Sequence, residues 1–68
     1  MNDRDQRLRD YWTLQAMLKF GGGFVKCLAK ATEHADPINL SKIKATWPEY
    51  WAEYEEKGRK LEEGKKSQ

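Results

Sequence analysis

The sequence predicts an all-α protein, a small bundle of three to four helices joined by short turns marked by glycine and proline. Three observations carry that expectation. Apolar residues recur at spacings of three, four and seven, most regularly along Trp47, Tyr50, Trp51, Tyr54, Gly58 and Leu61. Helix stop and start signals stand between the periodic runs: Gly21-Gly22-Gly23, Asp36-Pro37 and Thr46-Trp47-Pro48-Glu49. Acid-first pairs four residues apart (Asp3 with Arg7, Asp5 with Arg9, Glu53 with Lys57, Glu55 with Arg59, Glu56 with Lys60) each support a helix by roughly 0.2–0.5 kcal/mol.

The first helix is expected to begin after Asp3, which can cap it while Gln6 reciprocates three residues on. Leu8, Tyr11, Leu14, Gln15 and Leu18 share one of its faces, flanked by Trp12, and that face is expected to point inward. Met17 and Phe20 lie elsewhere, so the helix carries apolar groups on more than one side and sits centrally or meets something further. Three consecutive glycines end it, since they give up too much backbone entropy to continue a helix.

A second helix runs from about Phe24 to Ala35, with Phe24, Val25, Leu28, Ala31, Thr32 and Ala35 inward and Lys26, Lys30 and Glu33 outward. Asp36 then suits an N-cap, and Pro37 the first helical position, where a missing N–H is no loss. The third helix is short, roughly residues 37–45, with Leu40 and Ile43 inward. Thr46 followed by Glu49 reads as a capping box for the last and most regular helix. Residues 1–64 form a single helical domain on this reading, and residues 65–68 a frayed basic tail.

Sixty-eight residues allow one core, which covers only about 60% of the surface the unfolded chain exposes. One cysteine, Cys27, excludes an intrachain disulfide, and with one histidine, His34, it cannot complete a zinc site; no metal or other cofactor is expected. Thirteen basic against eleven acidic residues argue against both a strongly basic nucleic-acid arm and an acidic mimic of DNA. No stretch is long or apolar enough to span a bilayer, and the start Met1-Asn2-Asp3-Arg4-Asp5 is not a signal peptide, so a cytoplasmic protein with no membrane partner is expected.

Candidate chemistry is sparse. Cys27 and His34 are two helical turns apart, about 10 Å, too far for a nucleophile–base pair; a partly buried cysteine and a surface histidine are expected. No HExxH or GxSxG motif is present, and the expectation is a protein that is not an enzyme. The eight aromatic residues are the most informative set. Rings fill small cores efficiently, but three tryptophans and three tyrosines are many for one core of this size, and both types dominate interface hot spots. Tyr11, Trp12, Trp47, Tyr50, Trp51 and Tyr54 are therefore the candidate partner-binding residues, with Trp12 and Trp51 singled out at the edges of their stripes.

Taken together, Tyr11-Trp12, the run Phe20-Gly21-Gly22-Gly23-Phe24-Val25-Lys26, then Ala35-Asp36-Pro37 and Trp47-Pro48-Glu49-Tyr50-Trp51 resemble small phage- and prophage-encoded helical proteins, over residues 11–54. The resemblance carries no catalytic motif. It implies an accessory protein of the phage type, working in the host cell by binding host machinery such as a defence system. The expected function is protein–protein interaction, either self-association into a homo-oligomer or capture of a host protein. The alternative is a nucleotide or nucleic-acid binder that uses Gly21, Gly22 and Gly23 at a helix N-terminus together with Lys26 and Lys30. Lys42, Lys44 and Trp47 would extend that basic, ring-bearing patch if the second and third helices lie side by side.

Overall fold

A computed structural model describes residues 3–66, with the backbone alone described at residues 3 and 66. Among the described residues the chain forms four helices and no strand: α1 (Asp3–Phe20), α2 (Gly23–Glu33), α3 (Pro37–Thr46) and α4 (Pro48–Lys66). The all-α bundle with short turns is as the sequence predicts. Connectors are one to three residues long, so each helix is followed directly by the next.

The triple glycine is not a uniform hinge. The Gly21 N–H still donates to the Met17 carbonyl at 3.0 Å, extending the last turn of α1. A Cβ on Gly21 would lie 2.5 Å from both that carbonyl oxygen and Val25 Cγ1, so only glycine fits where α1 meets α2. Gly22 is extended and N-caps α2, accepting from the Lys26 N–H at 2.9 Å, and both Gly22 and Gly23 border open space.

Asp36 caps α3 as expected, its carboxylate accepting from the Asn39 N–H at 2.7 Å with Pro37 at the helix start. The expected Thr46–Glu49 capping box does not form. Thr46 is the last residue of α3, and its hydroxyl donates to the Lys42 carbonyl at 2.7 Å. A threonine late in a helix has its own preceding turn within reach, and that local bond removes it from cap duty. Trp47 becomes the whole connector: its N–H donates to Ile43 at 3.0 Å, its carbonyl accepts from Trp51 at 3.1 Å, and Pro48 opens α4. The expected Asp3 cap rests on a side chain outside the described residues; Gln6 donates to Asp10 at 3.0 Å. α4 continues through Gly64 to Lys66, past the expected domain edge at residue 64.

α1 lies at the centre, with its widest contact to α4 and a second to α2. The core comprises Ala16 and Met17 of α1, Val25, Leu28 and Ala29 of α2, and Trp51 and Tyr54 of α4. Leu14, Leu18, Leu40, Ile43, Trp47 and Leu61 pack against it half-buried. Thr13 is wholly buried, its hydroxyl donating to the Arg9 carbonyl at 2.8 Å. Of the apolar stripe expected on α4, Trp51, Tyr54 and Gly58 are buried and Trp47 and Leu61 half-buried, while Tyr50 is exposed. On α2, Val25 and Leu28 are inside as expected, but Phe24 and Ala31, expected inward, are exposed, and Ala29 is buried instead.

On α1 the expected face is only partly inward: Leu14 and Leu18 pack half-buried against the core, but the fully buried residues lie elsewhere. Thr13, Ala16 and Met17 are inside, while Leu8 and Tyr11 stand 47% and 51% exposed. The reason lies at Gly58, where a Cβ would meet the Trp12 carbonyl oxygen at 2.5 Å and the Thr13 nitrogen at 2.8 Å. The two longest helices cross backbone to backbone there. So close a crossing accepts small or compact residues on the facing side and leaves Leu8 and Tyr11 outside.

Candidate interaction surface

The six candidate rings separate into three groups. Trp51 and Tyr54 are each 7% exposed and belong to the core. This corrects the expectation that Trp51 sits at a stripe edge: it shares the buried cluster with Ala16 and Met17 of α1, and the Lys44 ammonium lies over its ring at 5.2 Å from the centroid. Trp12 and Trp47 are half-buried, and Tyr11 and Tyr50 are exposed. Two further rings, Phe20 at 49% and Phe24 at 54% exposure, belong with the exposed set. The signal for them was their position, since they bracket the triple glycine at helix ends where no neighbouring turn can cover them.

Phe24, Trp47 and Tyr50 form one aromatic cluster where the start of α2 meets the start of α4. Phe24 meets Trp47 edge-on (5.8 Å between centroids, 73° between planes) and tilts against Tyr50 at 5.9 Å. Beside it, Lys57 lies 4.8 Å from the Tyr54 centroid and 6.0 Å from that of Phe20, and it pairs with Glu53 at 3.0 Å. The second exposed region is the outward side of α1, where Tyr11 packs edge-on against Trp12 at 5.2 Å (83° between planes).

The basic groups do not assemble around the glycines. Lys44 reaches from α3 to α1 and pairs with Asp10 at 3.0 Å. Phe24 and Ala31 mark the side of α2 that looks toward Trp47 and α3, while Lys26 and Lys30 project from its other flank, both exposed. Gly21 is buried against Val25 and has no free surface for a ligand. Cys27 is exposed rather than partly buried, because it points directly away from the Val25–Leu28–Ala29 face; His34 is exposed as expected.

On α4 the ionic pattern is compact. Glu53 and Lys57 pair as expected, but Arg59 takes Glu56 and Glu63 together instead of Glu55. The hydrogen bond from Arg59, joined by its charge and that of Lys60, holds the Glu56 carboxyl below its ordinary value, and the same bond raises Arg59. No protein-family model, curated protein or solved structure matches the chain.

Proposed function

We propose that this chain is a non-enzymatic binding module of the phage accessory type, acting through exposed apolar side chains by self-association or by holding a host protein such as a defence component. One observation carries the reading: Tyr11, Phe20, Phe24 and Tyr50 remain 40–54% exposed, while among the described residues the core holds only seven buried apolar ones. A buried ring covers roughly 150–250 Å². Leaving four of them half outside forgoes stabilisation that a small domain needs, and rings in such positions are the residues that anchor interfaces. The phage and host context rests on the resemblance over residues 11–54 alone.

The test is light scattering on the purified protein followed by pull-down from bacterial lysate, repeated with a Phe24→Ser, Tyr50→Ser double variant and with Tyr11→Ser. The expected result is a mass above that of the monomer or a defined captured protein, lost in one of these variants while the thermal midpoint falls by only a few degrees. A monodisperse monomer that captures nothing ends the proposal.

A further inference from the structure

We infer that the hollow between α2 and α3 binds a free nucleoside monophosphate, its base against Trp47 and its phosphate on Lys42 with His34 and Asn39. This goes beyond the binding reading above and uses a different surface. The hollow encloses about 350 Å³. Ala31 and Ala35 line one wall and Ile43 the other. The two helices are joined at residues 34–36, while Phe24 meets Trp47 at the far end, so the half-buried Trp47 ring stands opposite the connector. Phe24 packs edge-on against that ring at 5.8 Å between centroids and holds it in place before any ligand arrives.

Polar groups decide the ligand. The Lys42 ammonium, the His34 imidazole, the Asn39 amide and the Trp47 indole belong to residues that line the hollow. Among the described residues no hydrogen bond or ion pair engages any of these four side chains. All four can donate, so the site suits a ligand rich in acceptors. Lys44, next in the same helix, is committed to Asp10 and takes no part. The described residues that line the hollow include no carboxylate. Asp36 is occupied at the Asn39 N–H at 2.7 Å, and Glu33 stands about 200° round α2 from Ala31.

Spacing sets the shape. From Asn39 to Trp47 the hollow runs about 12 Å at helical rise. Inorganic phosphate would satisfy Lys42 and leave the ring idle, and a flat apolar molecule would do the reverse. A nucleoside monophosphate carries both ends: a base that stacks on an aromatic side chain and a phosphate that takes charge-assisted hydrogen bonds. A continuous strand is disfavoured, because the next hollow beyond Trp47 is edged by Glu49 and Glu53, which would repel its following phosphate.

The probe is adenosine 5′-monophosphate, titrated into the full isotope-labelled chain. Amide resonances of residues 31–35 and 39–47 should shift and saturate with a dissociation constant on the order of 1 mM or below, weakening as salt rises. Adenosine and ribose 5-phosphate, each lacking one end, should bind roughly tenfold more weakly. Lys42→Gln should weaken binding about tenfold with melting unchanged, and Ala35→Leu, which fills the hollow, should abolish it. Trp47→Ala should weaken it too; Lys42→Gln keeps the test sound if losing that ring disturbs the core. Tyr11→Ser should bind as the parent does. Shifts centred on residues 22–30, equal binding of adenosine or ribose 5-phosphate, unchanged binding in Lys42→Gln, tighter binding of a single-stranded oligonucleotide, or no saturation each overturns the inference.

Discussion

At Gly58 a single missing side chain decides how two helices meet. Replacing it with alanine drives a Cβ into the Trp12 carbonyl, a backbone group with no rotamer in which to retreat. Gly58→Ala should therefore destabilise by at least about 2 kcal/mol and lower the thermal midpoint on the order of 10 °C, read by circular dichroism. Gly64 supplies the control. It is helical and borders open space, so Gly64→Ala should raise stability by a few tenths of a kcal/mol. The role of Gly58 was legible because it interrupts an otherwise bulky stripe. That of Gly21 was not, since three adjacent glycines look alike until Val25 is known to press on one of them.

Among the elements, α4 could be read from its sequence and α1 could not. The bulky residues of α4 share one side, and periodicity and packing agree at Trp51, Tyr54 and Leu61, with Tyr50 alone among them exposed. α1 has apolar groups on two sides, and ranking them by size selects the Leu8–Tyr11–Leu18 face, whereas the close crossing selects Thr13 and Ala16 for their small size. The ionic cluster of α4 makes its own prediction. Glu56 is held below its ordinary value by Arg59, so its contribution to folding is fully present above that ordinary value, 4.5, and is lost as pH falls through the lower folded value. Helicity measured on the acid side should fall less steeply in Arg59→Gln, and so should the parent near 1 M salt. The difference should be small, because the pair is open to solvent.

The whole molecule is a long two-helix frame with a lighter pair of helices against it. Its radius of gyration is 11.6 Å, close to the roughly 11 Å of a compact chain of this length. α3 buries no residue completely and leaves Ile38 69% exposed, and its contacts with α2 and α4 are narrow. Its polar tie to α1 is Lys44 with Asp10. Native-state hydrogen exchange should accordingly show α3 as the least protected helix and the centres of α1 and α4 as the most protected, and Lys44→Met should speed α3 exchange several-fold without altering α1. The helix order was legible because punctuation residues act locally. The binding surface was only half legible, because residues that face outward are the ones the fold itself does not constrain.

Cys27, directed straight out from α2, bears on how the size measurement must be run. As air oxidation can join two such thiols into a covalent pair, a doubled mass seen without reductant would imitate noncovalent assembly. The same exposed sulfur offers one attachment point for a fluorophore or spin label outside the core, so that distances to an introduced second label can follow the molecule without disturbing its interior.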